Sequence, residues 1–169
     1  RGCTFLMKYR SIFSVMSRLA EEHGAINLSQ GFPDFDCDPE LVEAVARQMR
    51  AGHNQYAPMT GVPALRSVIA EKNAALYGHR YDSETEITIT AGATQAIMAS
   101  VLARGHPGDD VVVLEPTYAS YVPSIELAGG RPIFVPLDAA RGYAPDWERV
   151  RAAITAKTRL VMLNFPHNP

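Results

Sequence analysis

The sequence predicts an α/β fold built on a mostly parallel sheet, and three observations carry that expectation. Short apolar or β-branched runs recur in the second half of the chain. Helix-forming segments long enough for crossovers separate them, and glycine or proline turns punctuate the alternation. A length of 169 residues suits one domain and is long enough to enclose a substantial core.

Taken in order, the first clear element opens at Asp38-Pro39-Glu40: an N-cap, a proline at the first helical position and an early acid. Leu41, Val42, Val45 and Met49 then recur on one face until Gly52. A second helix starts near Pro63, carries Leu65, Val68, Ile69 and Leu76 at helical spacing, and closes at Gly78. The intervening "HNQYAPMTG" reads as a loop. Four strands are then expected at 87–90, 111–114, 132–135 and 160–163. Because the Val-rich and Leu-rich runs do not alternate, helices should cover both faces of those strands. The connecting helices are expected from about Thr94 to Arg104, from Thr117 to Ala128, and from Asp146 onward with Trp147, Val150 and Ile154 facing inward.

Composition excludes several function classes. Sixteen basic and eighteen acidic side chains leave a net charge of -2 without a run of either sign, which argues against an electrostatic nucleic-acid binder. Cys3 and Cys37 form no C-x-x-C pair and no residue cluster has metal-ligand spacing, so no metal is expected and a reducing compartment is the simpler reading. No apolar stretch approaches the roughly 18 to 20 residues that span a bilayer, and the N-terminus lacks an h-region or cleavage site. A cytoplasmic protein without membrane partners is the expectation. Arg1 in place of an initiator Met suggests that the N-terminus is not native.

In an open α/β sheet, ligands sit beyond the carboxyl ends of the strands. The first such loop reads "TITAGATQAI": Gly92 permits close backbone approach, while Ala93, Thr94 and Gln95 would form the opening turn of a helix. Amides there lack intrahelical partners and suit a phosphate, to which Thr94 adds a hydroxyl; a plain strand-to-helix turn is the competing reading. A Rossmann site needs more glycines than "AGATQA" has, although Glu115 lies at a suitable distance, and the Gly-Lys-Ser/Thr ending of a P-loop is missing. Phosphate without a dinucleotide is therefore favoured. The next loop, "LEPTYASY", puts Tyr118 and Tyr121 on one face, where a ring could stack on a planar ligand or simply pack. In "NFPHNP", Asn164 or Asn168 could hydrogen-bond a ring substituent, and Asn168-Pro169 could adopt a cis bond; a tight turn is the alternative.

Together "INLSQGFPDFD", "NQYAPMTGVPALR", "TAGATQAI", "EPTYASY" and "LNFPHNP" resemble, in sequence and spacing, the N-terminal portion of a class I/II aminotransferase. The resemblance is strongest to the methionine and kynurenine-oxoglutarate transaminases. It implies the type I fold of pyridoxal-phosphate-dependent transferases, present in part. Residues 1–37 would be an N-terminal arm and part of the small domain, and 38–169 the first part of the cofactor-binding large domain. The implied cofactor is pyridoxal 5'-phosphate. Ala93, Thr94 and Gln95 would hold its phosphate, Tyr118 would stack on its ring, and Asn168 would donate to its phenolic oxygen. Gly31 would lie beside the substrate carboxylate, and Asn168 would also bind substrate. Tyr56 would reach the phosphate of the neighbouring subunit in a homodimer with shared sites.

The resemblance also implies that the Schiff-base lysine lies beyond Pro169, since Lys8, Lys72 and Lys157 stand in no matching motif. No catalytic residue is therefore assigned within the chain, and these residues alone are expected to be inactive and poorly stable. Later strands of the family's sheet would flank "EITIT", leaving it without neighbours here. The implied reaction of the whole protein moves an amino group from a methionine, aromatic or kynurenine-like amino acid to a 2-oxo acid. A noncatalytic phosphate-ligand-binding or interaction domain, or a related lyase or synthase, is the alternative.

Overall fold

The computed structural model describes residues 12–31 and 33–168. The chain divides into two compact units, Arg1–Tyr56 and Ala57–Pro169. The first contains α1 (Ile12–Glu22) and α2 (Pro39–Arg50). Helix α2 begins as its sequence dictates: the Asp38 carboxylate accepts the Glu40 amide at 2.8 Å, with Pro39 at the first helical position, where a missing N–H costs no bond. Helix α1 was not singled out by the sequence. Its Ser17 hydroxyl donates to Gln30 Oε1 at 3.0 Å and accepts from Asn27 Nδ2 at 3.1 Å, fastening the segment that leads to Gly31.

The second unit holds α3 (Pro63–Tyr77), α4 (Gly92–Arg104), β1 (Asp110–Glu115), α5 (Tyr121–Leu127), β2 (Arg131–Pro136), α6 (Trp147–Ala153) and β3 (Thr158–Met162). Strands pair in the order β2-β1-β3, all parallel, with Val112 opposite Ile133 on one side and Val161 on the other. The central strand is buried almost throughout and feeds both faces of the sheet. Val111 and Val113 pack with Val101, Tyr121 and Ile125 from α4 and α5, whereas Val112 and Leu114 pack with Val135, Leu137 and Val150. Of these, Val101, Val111, Val112, Val113 and Ile125 are fully enclosed, and each contributes roughly 1.5–3 kcal/mol. Among the described residues no helix is long and apolar enough to cross a membrane.

Four expectations need correction. Residues 87–90 form no strand, because no neighbouring strand pairs their backbone; the Ile89 amide instead donates to Thr60 O at 3.0 Å. The helix expected from Thr117 begins four residues later, at Tyr121. Thr117 to Ser120 make a turn closed by Tyr121 N–H on Tyr118 O at 3.0 Å, and Pro123 fits only a first helical turn. In α6, Val150 is buried but Trp147 and Ile154 are exposed, since the helix is two turns long and Ile154 already has extended dihedrals. The Leu-rich run is covered on one face only: β3 alternates, leaving Arg159 and Val161 exposed at the edge of the sheet.

Candidate functional site

Parallel pairing puts the carboxyl ends of β1 and β3 on the same side of the sheet, so the turns at 116–120 and 163–168 leave together. Helix α4 supplies a third component. Gly92 adopts φ +81°, a left-handed conformation that glycine accepts freely, and open space lies where a Cβ would stand. Ala91 to Gln95 are all exposed. The Gly92 amide is used by Thr90 O at 2.8 Å, and the Ala91 amide by the Gln95 side-chain oxygen. Among the described residues the Ala93 and Thr94 amides meet no acceptor. Two oriented N–H donors thus face outward at the positive end of a thirteen-residue helix, with the Thr94 side chain beside them.

After β1, Tyr118 is half-buried against the core cluster that also receives Ile97 of α4, and its ring meets Tyr121 edge-on with centroids 5.7 Å apart. The Thr117 hydroxyl is buried and has no partner among the described residues, an orphaned polar atom next to Tyr118. After β3, Asn164 Nδ2 donates to Asn168 O at 3.4 Å, and the His167 ring contacts Asn164 O through Nδ1 at 3.1 Å and Pro116 O through Nε2. That last contact joins the two exit turns. Glu115-Pro116 and Phe165-Pro166 are cis peptides; the Asn168-Pro169 bond, for which a cis form was considered, lies outside the described residues.

The structure therefore brings Tyr118 and Asn168 onto adjacent turns, and packs Tyr118 on the core cluster that holds Ile97 and Val101 of α4, while the opening residues of that helix stay exposed. Gly31 and Tyr56 belong to the first unit. Gly31 is exposed, with nothing near its missing Cβ, and Tyr56 is fully exposed. A small group bearing a phosphate and a flat aromatic ring fits the second unit's donor set: free amides and a hydroxyl for the anion, one tyrosine face, and a nearby amide side chain. The carboxylates at the other end of the sheet are held below the usual range. Asp110 is held there chiefly by hydrogen bonds from Arg131, Asp109 by the His106 amide. Sequence reasoning passed over three residues, two in the second unit and one in the first. His167 was visible in "PHNP" but carried no assignment, Thr117 reads as an ordinary turn residue, and Ser17 has no periodic signal to mark it.

Residues 23–169 match the family described as aminotransferase class I and II. Methionine aminotransferase of Escherichia coli is 49% identical over 159 residues, covering 94% of this chain and 41% of that protein. The structure of N-succinyldiaminopimelate aminotransferase from Mycobacterium tuberculosis superposes with a TM-score of 0.90 at 42% identity, over 100% of this chain and 44% of that one. An Escherichia coli structure reported with a methionine aminotransferase function gives 0.88 at 49% identity, over 96% and 43%. The chain spans under half the length of the relatives it matches.

Proposed function

The chain belongs to the class I and II aminotransferases, a pyridoxal-phosphate-dependent family, and on that premise we propose that the protein carrying it transfers an amino group from an amino acid to a 2-oxo acid. The donor we favour is methionine or an aromatic or kynurenine-like amino acid, a choice supported by similarity to a methionine aminotransferase. When bound, the cofactor supplies an electron sink for the bond broken at the amino acid's α-carbon.

What this chain contributes is binding and orientation. In this reading the Ala93 and Thr94 amides, with the Thr94 hydroxyl and Gln95, take the phosphate oxygens, which the helix dipole also favours. Tyr118 covers one ring face and Asn168 donates to the phenolic oxygen. Gly31 is assigned to offer backbone to the substrate carboxylate, and Asn168 is assigned to the substrate as well as to the cofactor. Tyr56 serves the phosphate in the partner subunit of a cytoplasmic homodimer. Residues 1–37 are assigned to an arm and part of a small domain, and 38–169 to the opening of the large domain. The observation carrying this reading is the pair of unpartnered amides at the exposed start of α4, a helix whose Ile97 shares a core cluster with Tyr118.

The test is titration of the full-length protein with pyridoxal 5'-phosphate, followed by amino-acid and 2-oxo-acid panels. Cofactor binding that weakens on Asn168→Ala, and amino transfer from methionine or aromatic donors, is expected. Failure to bind the cofactor would sink the proposal.

A further inference from the structure

The geometry points to His167 as a positioning residue that sets the spacing between Tyr118 and Asn168. The β1–β3 ladder ends at Val113 and Met162, and beyond it these two segments have no backbone pairing to each other, although β1 stays paired with β2 as far as Glu115. Among the described residues the only hydrogen bond between the exit turns 116–120 and 163–168 is the His167 Nε2 contact with Pro116 O, across 51 positions of sequence. The same ring reaches Asn164 O through Nδ1 at 3.1 Å, and Phe165 lies beside it with centroids 6.1 Å apart. A single flat side chain thus bridges a carbonyl two residues before Tyr118 and another at the root of its own turn. Its main chain continues directly into Asn168.

The chemistry suits a strut. Imidazole nitrogens sit on separate edges of a rigid ring, so a ring with hydrogens on both holds the two carbonyls at a fixed separation, and a ring with its one hydrogen on Nε2 holds Pro116 O, in either case with little rotamer freedom to lose. A ring carrying one hydrogen donates to one carbonyl; a ring carrying two donates to both. Each nitrogen faces a backbone carbonyl oxygen rather than open space, which makes this a supporting role rather than chemistry. Ligand groups held within a fraction of an ångström need such support, because loops without it sample several spacings.

This inference rests on the proposed reading of Tyr118 and Asn168 as cofactor contacts, and its test separates the two. In the full-length protein, His167→Leu removes both contacts and His167→Gln keeps one donor at similar reach. Expected is a five- to tenfold weaker affinity for pyridoxal 5'-phosphate in the Leu variant, about the value of one hydrogen bond, with a reduced induced circular dichroism of the bound cofactor. The Gln variant should recover most of both. A Leu variant that loses thermal stability but keeps affinity and dichroism would overturn the positioning role. If Asn168→Ala still weakens binding in that case, the functional reading survives. Long-range proton–nitrogen spectra of the unsubstituted protein give a check independent of folding in the variants. The Nε2 proton should exchange slowly with water, and fast exchange would refute the bridge. Absence of any cofactor binding would remove the functional reading and the positioning role with it.

Discussion

Thr94 offers two donors of different kinds, and they respond differently to substitution. Its amide belongs to the helix start and survives any side-chain change, whereas its hydroxyl does not. Thr94→Ala should therefore weaken pyridoxal 5'-phosphate binding by only about three- to tenfold, the worth of one hydrogen bond to a charged group. Near-complete loss would show the hydroxyl, not the amides, to be the main anchor. The amide donors were legible from "AGATQ", because a glycine opening a helix marks the first turn, where amides lack intrahelical partners. His167 was not legible in the same way. Its role depends on Pro116, distant in sequence, and no local pattern announces that pairing. Tyr118 falls between the two: its position after a strand was readable, but its packing against Ile97 and Tyr121 follows only from the assembled core.

At the level of elements, the cap at Asp38 and the parallel pairing of the last three apolar runs were legible, whereas the turn at Thr117 to Ser120 was not. Asp38 caps α2 as its sequence requires, so Asp38→Ala should cost about 1 kcal/mol in denaturant unfolding, with Asp38→Asn close to neutral. A null effect in both would show the cap to be dispensable. The run at 87–90 has the composition of a strand, yet composition cannot supply a neighbour, and without one the ladder does not form. Its seat is set instead by Gly61. That residue is buried at φ +99°, and a Cβ added there would stand 2.6 Å from Ile89 Cβ. Gly61→Ala should lower stability by roughly 2 kcal/mol or more, combining backbone strain with overpacking. If the variant unfolds at the same denaturant concentration as the parent, the segment is not seated on that glycine.

Across the second unit, the two ends of the sheet differ in how completely their polar groups are paired. At the carboxyl ends, amides and a hydroxyl have no partner among the described residues. At the amino ends, one acid on each of two adjacent positions ties the central strand to a neighbour. Buried Asp110 takes Arg131 of β2 through two nitrogens at 2.9 and 3.1 Å, and Asp109 takes Arg159 of β3 at 3.2 Å. Hydrogen bonds from Arg131 are the main reason the Asp110 carboxyl is held below its ordinary value, and its own carboxylate holds Arg131 above its own. A carboxyl with a lowered folded-state value binds its proton later than the unfolded chain does. Its stabilising effect is therefore complete well above the unfolded value of about 3.9, declines as pH falls past it, and is gone once pH drops below the lowered folded value. Asp110→Asn keeps the shape and removes the charge. The gap in melting temperature between parent and variant should be widest above about pH 5 and should close as the parent's carboxyl protonates in stronger acid. A gap that stays constant down to the acid limit would mean that the pairing is held by shape alone. In that case the amino end of the sheet would owe its order to the Val111 to Leu114 core rather than to its ion pairs.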